Sequence, residues 1–408
     1  MTIKALYPTV EPSLNLDFAN TKRLDPRITF TRASTATFVG DNGLIQSAAV
    51  NVARFDHNPA TGESLGLLVE EARTNLLLRS EEFGTTWGTS PATISSNVVT
   101  APDGTTTADK LVTSNTTDQQ RTFQSATVAA GTVTFSVYAK AAGFSYMRLE
   151  SGSSLEIANF DLTQGVLGTV SGAATITKLS NGWYRCSMPI TTSAGANDFR
   201  IYVIGSATDG RGSTLAGNGV DGIYIWGAQL EAGDFPTSYI PTVASTVTRA
   251  ADVASITGTN FSSWYRQDEG TVIASVKNMP VTSAVYIADI GANATSGSGA
   301  SGHAIYATST IAGGFTQASN VAVADVSSTY SVNTVNAAYA YKVNNFSFAL
   351  NNVLGTPDTS GAIPVLGAQQ VFIGARFNGT QAVNKPIARL AYYPVRLPDA
   401  QLQALTAT

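Results

Sequence analysis

Very few residues in this chain are equipped for covalent or metal chemistry. There are two histidines, His57 and His303, and one cysteine, Cys186. His57 follows the turn-like "FDHNP" and His303 follows a Gly-Ser stretch, so each reads as a solvated loop histidine. A Ser-His-Asp arrangement or a His-based zinc site would need one of them beside further ligands or partners. A lone cysteine excludes an intrachain disulfide framework and a Cys-based zinc site, and it fits synthesis in a reducing cytosol.

Paired carboxylates are the one enzymatic chemistry the composition permits. A glycosidase needs two of them roughly 5 to 9.5 Å apart. The candidates are Glu70 with Glu71, Glu150 with Glu156, and Asp268 with Glu269. Glu70 and Glu71 read as a solvated helix start. Neighbours on a strand point to opposite faces, so Asp268 and Glu269 should not converge.

Sugar binding asks for something else: aromatic faces for stacking, flanked by planar hydrogen-bonding groups. Alternation puts Tyr146, Arg148 and Glu150 on one polar face and Arg200 with Tyr202 on another. If the two faces belong to one sheet, a glycan groove follows. The alternative is that this face is merely the solvated side of the sheet. Trp87, Trp183, Trp226 and Trp264 read as core or interface fillers. The glycines of 295–303 lack a following "GK[ST]" and read as a flexible hairpin rather than a phosphate loop.

These residues need elements to hold them, and composition names the class. Charged residues are 13% of 408, about half the usual share, while Gly is abundant and the rest is rich in Ser, Thr, Ala, Val and Asn. That favours strands and turns. A 43% hydrophobic share is enough for real cores and argues against disorder. Net charge is −4 with no Lys/Arg block, which disfavours nucleic acid. No stretch reaches the roughly 18 apolar residues of a membrane span, and residues 1–14 carry no signal-peptide pattern.

Alternation recurs in "GTVTFSVYAKA" (131–141), "FSYMRLESG" (144–152), "GWYRCSMPI" (182–190), "FRIYVIG" (199–205) and "GIYIWGAQLE" (222–231). Such spacing indicates an antiparallel sandwich. Pro236 and Pro241 mark where the chain leaves the sheet. A second set runs from "EGTVIASVKN" (269–278) to "KPIARLAYYPVRL" (385–397), and 397–407 reads as a short terminal helix. The expected class is therefore all-β, with two antiparallel sandwiches after an irregular N-terminal segment. The expected boundaries are 1–80, 81–243, a linker at 244–268, and 269–408. Residues 63–83 read as a strand and a short helix near Glu70–Ser80. The first eighty residues are too short and irregular for a core of their own and are expected to pack on other chains or a docking site.

Several segments resemble known families. "PDGTTTADKL" (102–111), "GTVTFSVYAKA", "NGWYRCS" (181–187) and "IYIWGAQLEAGDFPTSYIPT" (223–242) resemble carbohydrate-binding-type jelly rolls of phage fibre proteins. "EGTVIASV", "ALNN" (349–352) and "IARLAYYPVRLPDAQLQALT" (387–406) resemble a concanavalin-like, laminin-G-type sandwich. Residues 16–38, 66–83 and 248–271 are similar to phage head-spike or tail-fibre leader and linker regions. The resemblance implies a non-enzymatic virion subunit made in the host cytoplasm: a fibre, spike or capsid decoration. Its partners would be other virion proteins, itself as a homotrimer, and a host-surface glycan. The rival readings are a virion polysaccharide depolymerase and a purely structural capsid or tail protein. No cofactor is expected. Calcium often accompanies such folds, but no loop here has the dense acidic cluster that would assign a site.

Overall fold

A computed structural model describes residues 7–407 apart from 155, 278, 280–283, 292–300, 330–333 and 377–378. The glycine loop expected at 295–303 falls largely outside the described residues. The architecture is all-β. The described helices are Phe18–Thr21, Gly258–Ser262, Asp399–Thr406 and a short 3₁₀ turn at Ser180–Gly182.

The first sandwich packs two six-stranded antiparallel sheets. One runs, edge to edge, through Thr175–Lys178, Tyr184–Thr192, Gly131–Ala142, Gly222–Ala232, Ala108–Val112 and Thr93–Val99. The other runs through Val166–Val170, Ile157–Asp161, Tyr146–Ser151, Gly195–Ile204, Gln120–Val128 and Gly88–Ser90. Alternation supplies the core between them: Val133, Phe135, Val137, Met147, Leu149, Phe199, Ile201 and Cys186 all lie inside. Burying side chains of this size contributes about 1.5–3 kcal/mol each.

The opposite face of Gly131–Ala142 is also covered. Thr134, Ser136 and Tyr138, which alternation sets on that face, are buried. After Ala232 the chain turns back across this face. Tyr239 packs 4.6 Å from Trp226 and 6.0 Å from Tyr138, forming a second small core with Trp183 and Ile45. Thr237 N–H donates to Glu231 Oε2 and Ile240 N–H to Gln229 Oε1, so the exit is bonded to the strand it has just left.

The second sandwich packs a seven-stranded sheet on an eight-stranded one. Its membership corrects two expectations. Much of the first eighty residues belongs to it, while Ile45 and Leu77 pack on the first sandwich. Leu14–Asp17 and Ser64–Val69 both pair with Lys385–Tyr393, and Thr29–Thr31 pairs with Val253–Thr257. Leu14, Leu16, Phe18, Leu67 and Val69 sit in the same core as Ile287, Ile305 and Leu390. The segment has no core of its own because it completes this one. Likewise 244–268 is not a free linker: Val253–Thr257 is a sheet strand, and Phe261 and Trp264 are core residues.

The helix expected near Glu70–Ser80 is absent. Arg73–Asn75 is a strand, and the donors that follow bond far in sequence: Leu76 N–H to Leu230 O and Arg79 N–H to Val243 O. Tertiary pairing overrides local propensity there.

A buried charge cluster ties the first eighty residues to the exit and the following segment. Asp252 accepts from Arg32 Nη1 at 3.0 Å, from Arg54, and from Glu70 N–H. Glu70 Oε2 lies 2.7 Å from Arg54 Nη1 and 3.0 Å from Arg249 Nη1, and Ser238 donates to both its oxygens. All five charged side chains are buried. Burial pushes the Glu70 carboxyl upward, but Arg249 and Arg54 outweigh it and hold it at about 2.

Candidate functional site

The residues singled out for sugar binding do converge. In the sheet containing Tyr146–Ser151 and Gly195–Ile204, Arg148 stands opposite Tyr202 and Glu150 opposite Arg200. Tyr146 lies at the end of the same row. Arg121, missed in the sequence, joins from Gln120–Val128, directly opposite Tyr202. The Arg121 and Arg148 guanidiniums stand 5.7 and 5.9 Å from the Tyr202 ring.

They do not form an open groove. Residues 205–217 fold back over the face and offer it their carbonyls. Arg148 Nη2 donates to Asp209 O and Gly210 O at 2.8 and 2.6 Å, while Nε donates to Asn159 Oδ1. Asn159 Nδ2 donates to Ala207 O and Asp209 O. Glu150 Oε1 is shared by Arg200, Arg211 and the Tyr202 hydroxyl at 3.3 to 3.4 Å. Arg148, Glu150 and Tyr202 are each 2% exposed or less. Of the five residues singled out, Tyr146 and Arg200 reach solvent in part, as do Arg121 and Arg211 beside them. The face is neither groove nor solvated surface; it is an internal polar network.

The candidate acids and bases are also engaged structurally. Glu71 turns away from Glu70 to accept from Arg73. Glu156 accepts from Thr191 N–H, apart from the Glu150 network. Asp268 and Glu269, expected to diverge, both pair with Arg266, because Asp268 precedes the strand and escapes its alternation. Asp56 and Glu70 show the opposed shifts of an acid–base pair. Burial lifts Asp56 to about 6, with Glu70 adding to it. Yet both Glu70 oxygens are already bound and the side chain is inaccessible, which leaves no place for a substrate.

Both histidines are buried, not solvated. His57 Nδ1 lies 3.1 Å from Val39 O, and His303 stacks 3.8 Å from Tyr341 with Nδ1 against Thr316 Oγ1. Burial alone lowers His303 to about 3, so it stays neutral. All four tryptophans are buried. Among the described residues, no three His, Cys, Asp or Glu side chains form a metal-binding group, and no helix is long and apolar enough to cross a membrane.

An open aromatic face exists elsewhere, on the outer side of the seven-stranded sheet. Tyr286, from Val285–Ile290, pairs with Tyr306, from Gly302–Ala307. Tyr306 in turn faces Gly313, from Ile311–Ala318, and Phe315 of that strand faces Asp325 of Val321–Thr329. Phe315 lies 6.0 Å from Tyr286 and 5.7 Å from Tyr306. All three rings are half-buried, and Asp325 is exposed.

Gly313 explains the attitude of Tyr306. A Cβ there would meet the Tyr306 ring at 2.8–2.9 Å, so the ring lies down over the glycine backbone. Its hydroxyl donates to Asp325 Oδ1 at 3.0 Å, which pins it. The Arg376 guanidinium stands 4.8 Å from the Tyr286 ring, beside the buried carboxyl of Asp289, which burial raises to about 6. Alternation in "AVYIADIG" (284–291) and "GHAIYA" (302–307) carried the signal. The register that places the two strands side by side did not show.

No family model matches the chain, and no curated relative matches it either. Solved structures give distant likenesses. The CBM40 domain of Ruminococcus gnavus IT-sialidase bound to α2,3-sialyllactose matches 35% of this chain and 84% of its own, at 19% identity and TM-score 0.30. Trypanosoma rangeli sialidase with the inhibitor DANA matches 62% of this chain and 48% of its own, at 10% identity and TM-score 0.29. Mouse laminin α1 domains LG4-5 match 65% and 81%, at 8% identity and TM-score 0.23. At such scores the reading of the site rests on this chain's own residues.

Proposed function

We propose that this protein is a non-enzymatic adhesion subunit that binds a surface glycan on the Tyr286–Tyr306–Phe315 face. The observation that carries this reading is the three half-exposed rings on one sheet, with Arg376 and Asp325 at their margin. Sugar rings present apolar C–H faces and equatorial hydroxyls. Aromatic faces take the first, and a guanidinium and a carboxylate take the second. The plain alternative is cross-strand aromatic packing that only stabilises the sheet, and the Phe315 contacts at 5.7 and 6.0 Å fit it as well; loss of glycan binding on Tyr306→Ala separates the two.

The fuller reading follows the sequence resemblance: a phage fibre, spike or decoration subunit, homotrimeric, held to other virion proteins and presenting this face to the host. Support for it is the segment resemblance at 16–38, 66–83 and 248–271. The test has two arms. A glycan array with the full chain should return binders that Tyr306→Ala loses; an array blank for the wild type refutes adhesion through this face. Antibody-decorated electron micrographs of phage particles should label a projecting appendage; unlabelled particles refute the virion reading.

A further inference from the structure

We propose that the cleft between the two sandwiches, where Arg73 and Lys385 meet at Phe235, binds a carboxylate-bearing saccharide. The cleft measures about 560 Å³, within the range of small-ligand sites, and such sites favour the junctions between domains. Thr132, Gly233, Asp234 and Phe235 line it from the first sandwich, and Ala382 to Lys385 from the second, together with Glu71 and Arg73.

Two cations there have unmet capacity. The Arg73 side chain is 10% exposed, and its Nε and Nη2 both go to Glu71 Oε1 at 2.7 and 2.5 Å. Its Nη1 is buried with no hydrogen-bond partner. A buried donor left unpaired costs about 1–3 kcal/mol, more on a charged group. The fold nevertheless makes room for it. Gly233, at φ +112°, leaves the space where a Cβ would lie 2.0 Å from that nitrogen. Lys385 is the second. Among the described residues its ammonium has no ion pair or hydrogen bond, only the Phe235 ring 5.8 Å away. Arg73 stands 5.1 Å from the same ring, so both cations address one point. Burial lowers the Lys385 pKa, and Glu70 opposes it.

Of the lining acids, Glu71 is already neutralised by Arg73. Asp234 is half-exposed on the lip, placed to accept from a sugar hydroxyl. A carboxylate entering between Arg73 Nη1 and Lys385 Nζ satisfies both. The carboxylate part of the assignment stands on the cleft alone, while the saccharide part rests on the adhesion reading above.

The test titrates the full chain with D-glucuronate and with its methyl ester, followed by saturation-transfer NMR. Glucuronate should bind about tenfold more tightly than the ester, the usual worth of a charge-assisted pair. Lys385→Met should weaken glucuronate several-fold with an unchanged melting temperature. Because Arg73→Gln also breaks the Glu71 pair, Lys385→Met is the primary variant. Equal binding of acid and ester, or no saturation by glucuronate, overturns the proposal. Tyr306→Ala should leave glucuronate binding intact. A blank glycan array with glucuronate bound therefore sinks only the aromatic face, and the converse sinks only the cleft.

Discussion

Two sheets in this protein turn tyrosine and arginine outward, and they end differently. On Tyr146–Ser151 and Gly195–Ile204 the guanidinium of Arg148 is consumed by carbonyls of residues 205–217, and Tyr202 is shut between Arg121 and Arg148. On Val285–Ile290 and Gly302–Ala307 the rings of Tyr286 and Tyr306 stay half-open, and Tyr306 lies flat over Gly313. Alternation tells which side chains leave the sandwich core. Whether a loop then comes back to cover them decides between internal scaffold and binding surface.

The comparison breaks most readily at Arg148. If its face is scaffold, Arg148→Ala should cost about 3–5 kcal/mol, since it strands Asn159 and two carbonyls in a buried site. Denaturant unfolding measures this. A stable variant that loses glycan binding would reverse the assignment of the two faces.

Next come two acids with opposite pH signatures. Asp289 holds its proton in the folded state up to about 6, above the ordinary aspartate value. Its contribution is complete below pH 4 and is lost as pH rises through 6, an effect on the order of 2–3 kcal/mol. Asp289→Asn should flatten that slope. Glu70 is the reverse. Held at about 2, it stabilises above pH 4.5 and fails as pH falls toward 2, so Glu70→Gln should remove part of the acid sensitivity. Unfolding curves from pH 2 to 7 separate the two; an unchanged slope in Asp289→Asn would disprove the buried-acid account of the aromatic sheet.

A smaller change is expected at the open face. Tyr306→Ala should lower affinity for an array-selected glycan about tenfold, near 1.4 kcal/mol, while stability moves by less than about 1 kcal/mol. The smallest is Arg200→Ala. Its ion pairs with Glu150 and Asp198 are partly exposed and screened, so a loss below about 1 kcal/mol is expected, with glycan binding unaffected. A large binding loss there would return function to the covered face.

Much of the fold was legible because it is periodic. The alternation of Val133, Phe135 and Val137, and of Met147 and Leu149, is the strand period that sets these side chains inside. The misreadings share one cause. The first eighty residues looked coreless because Leu14, Leu16, Leu67 and Val69 bury themselves against Ile287, Ile305 and Leu390, hundreds of residues later. Glu70 looked solvated because its partners, Arg249 and Ser238, are equally distant.

The amino-acid order alone determined the all-β class and the inward side chains of the strongly alternating strands such as 131–141 and 269–276, because a two-residue period is written locally in the chain. Tertiary structure alone decided which strands became neighbours, which polar face was roofed by residues 205–217, and that Tyr286, Tyr306 and Phe315 share an open surface. Those outcomes depend on register and on contacts between residues far apart in sequence, and no local pattern encodes either.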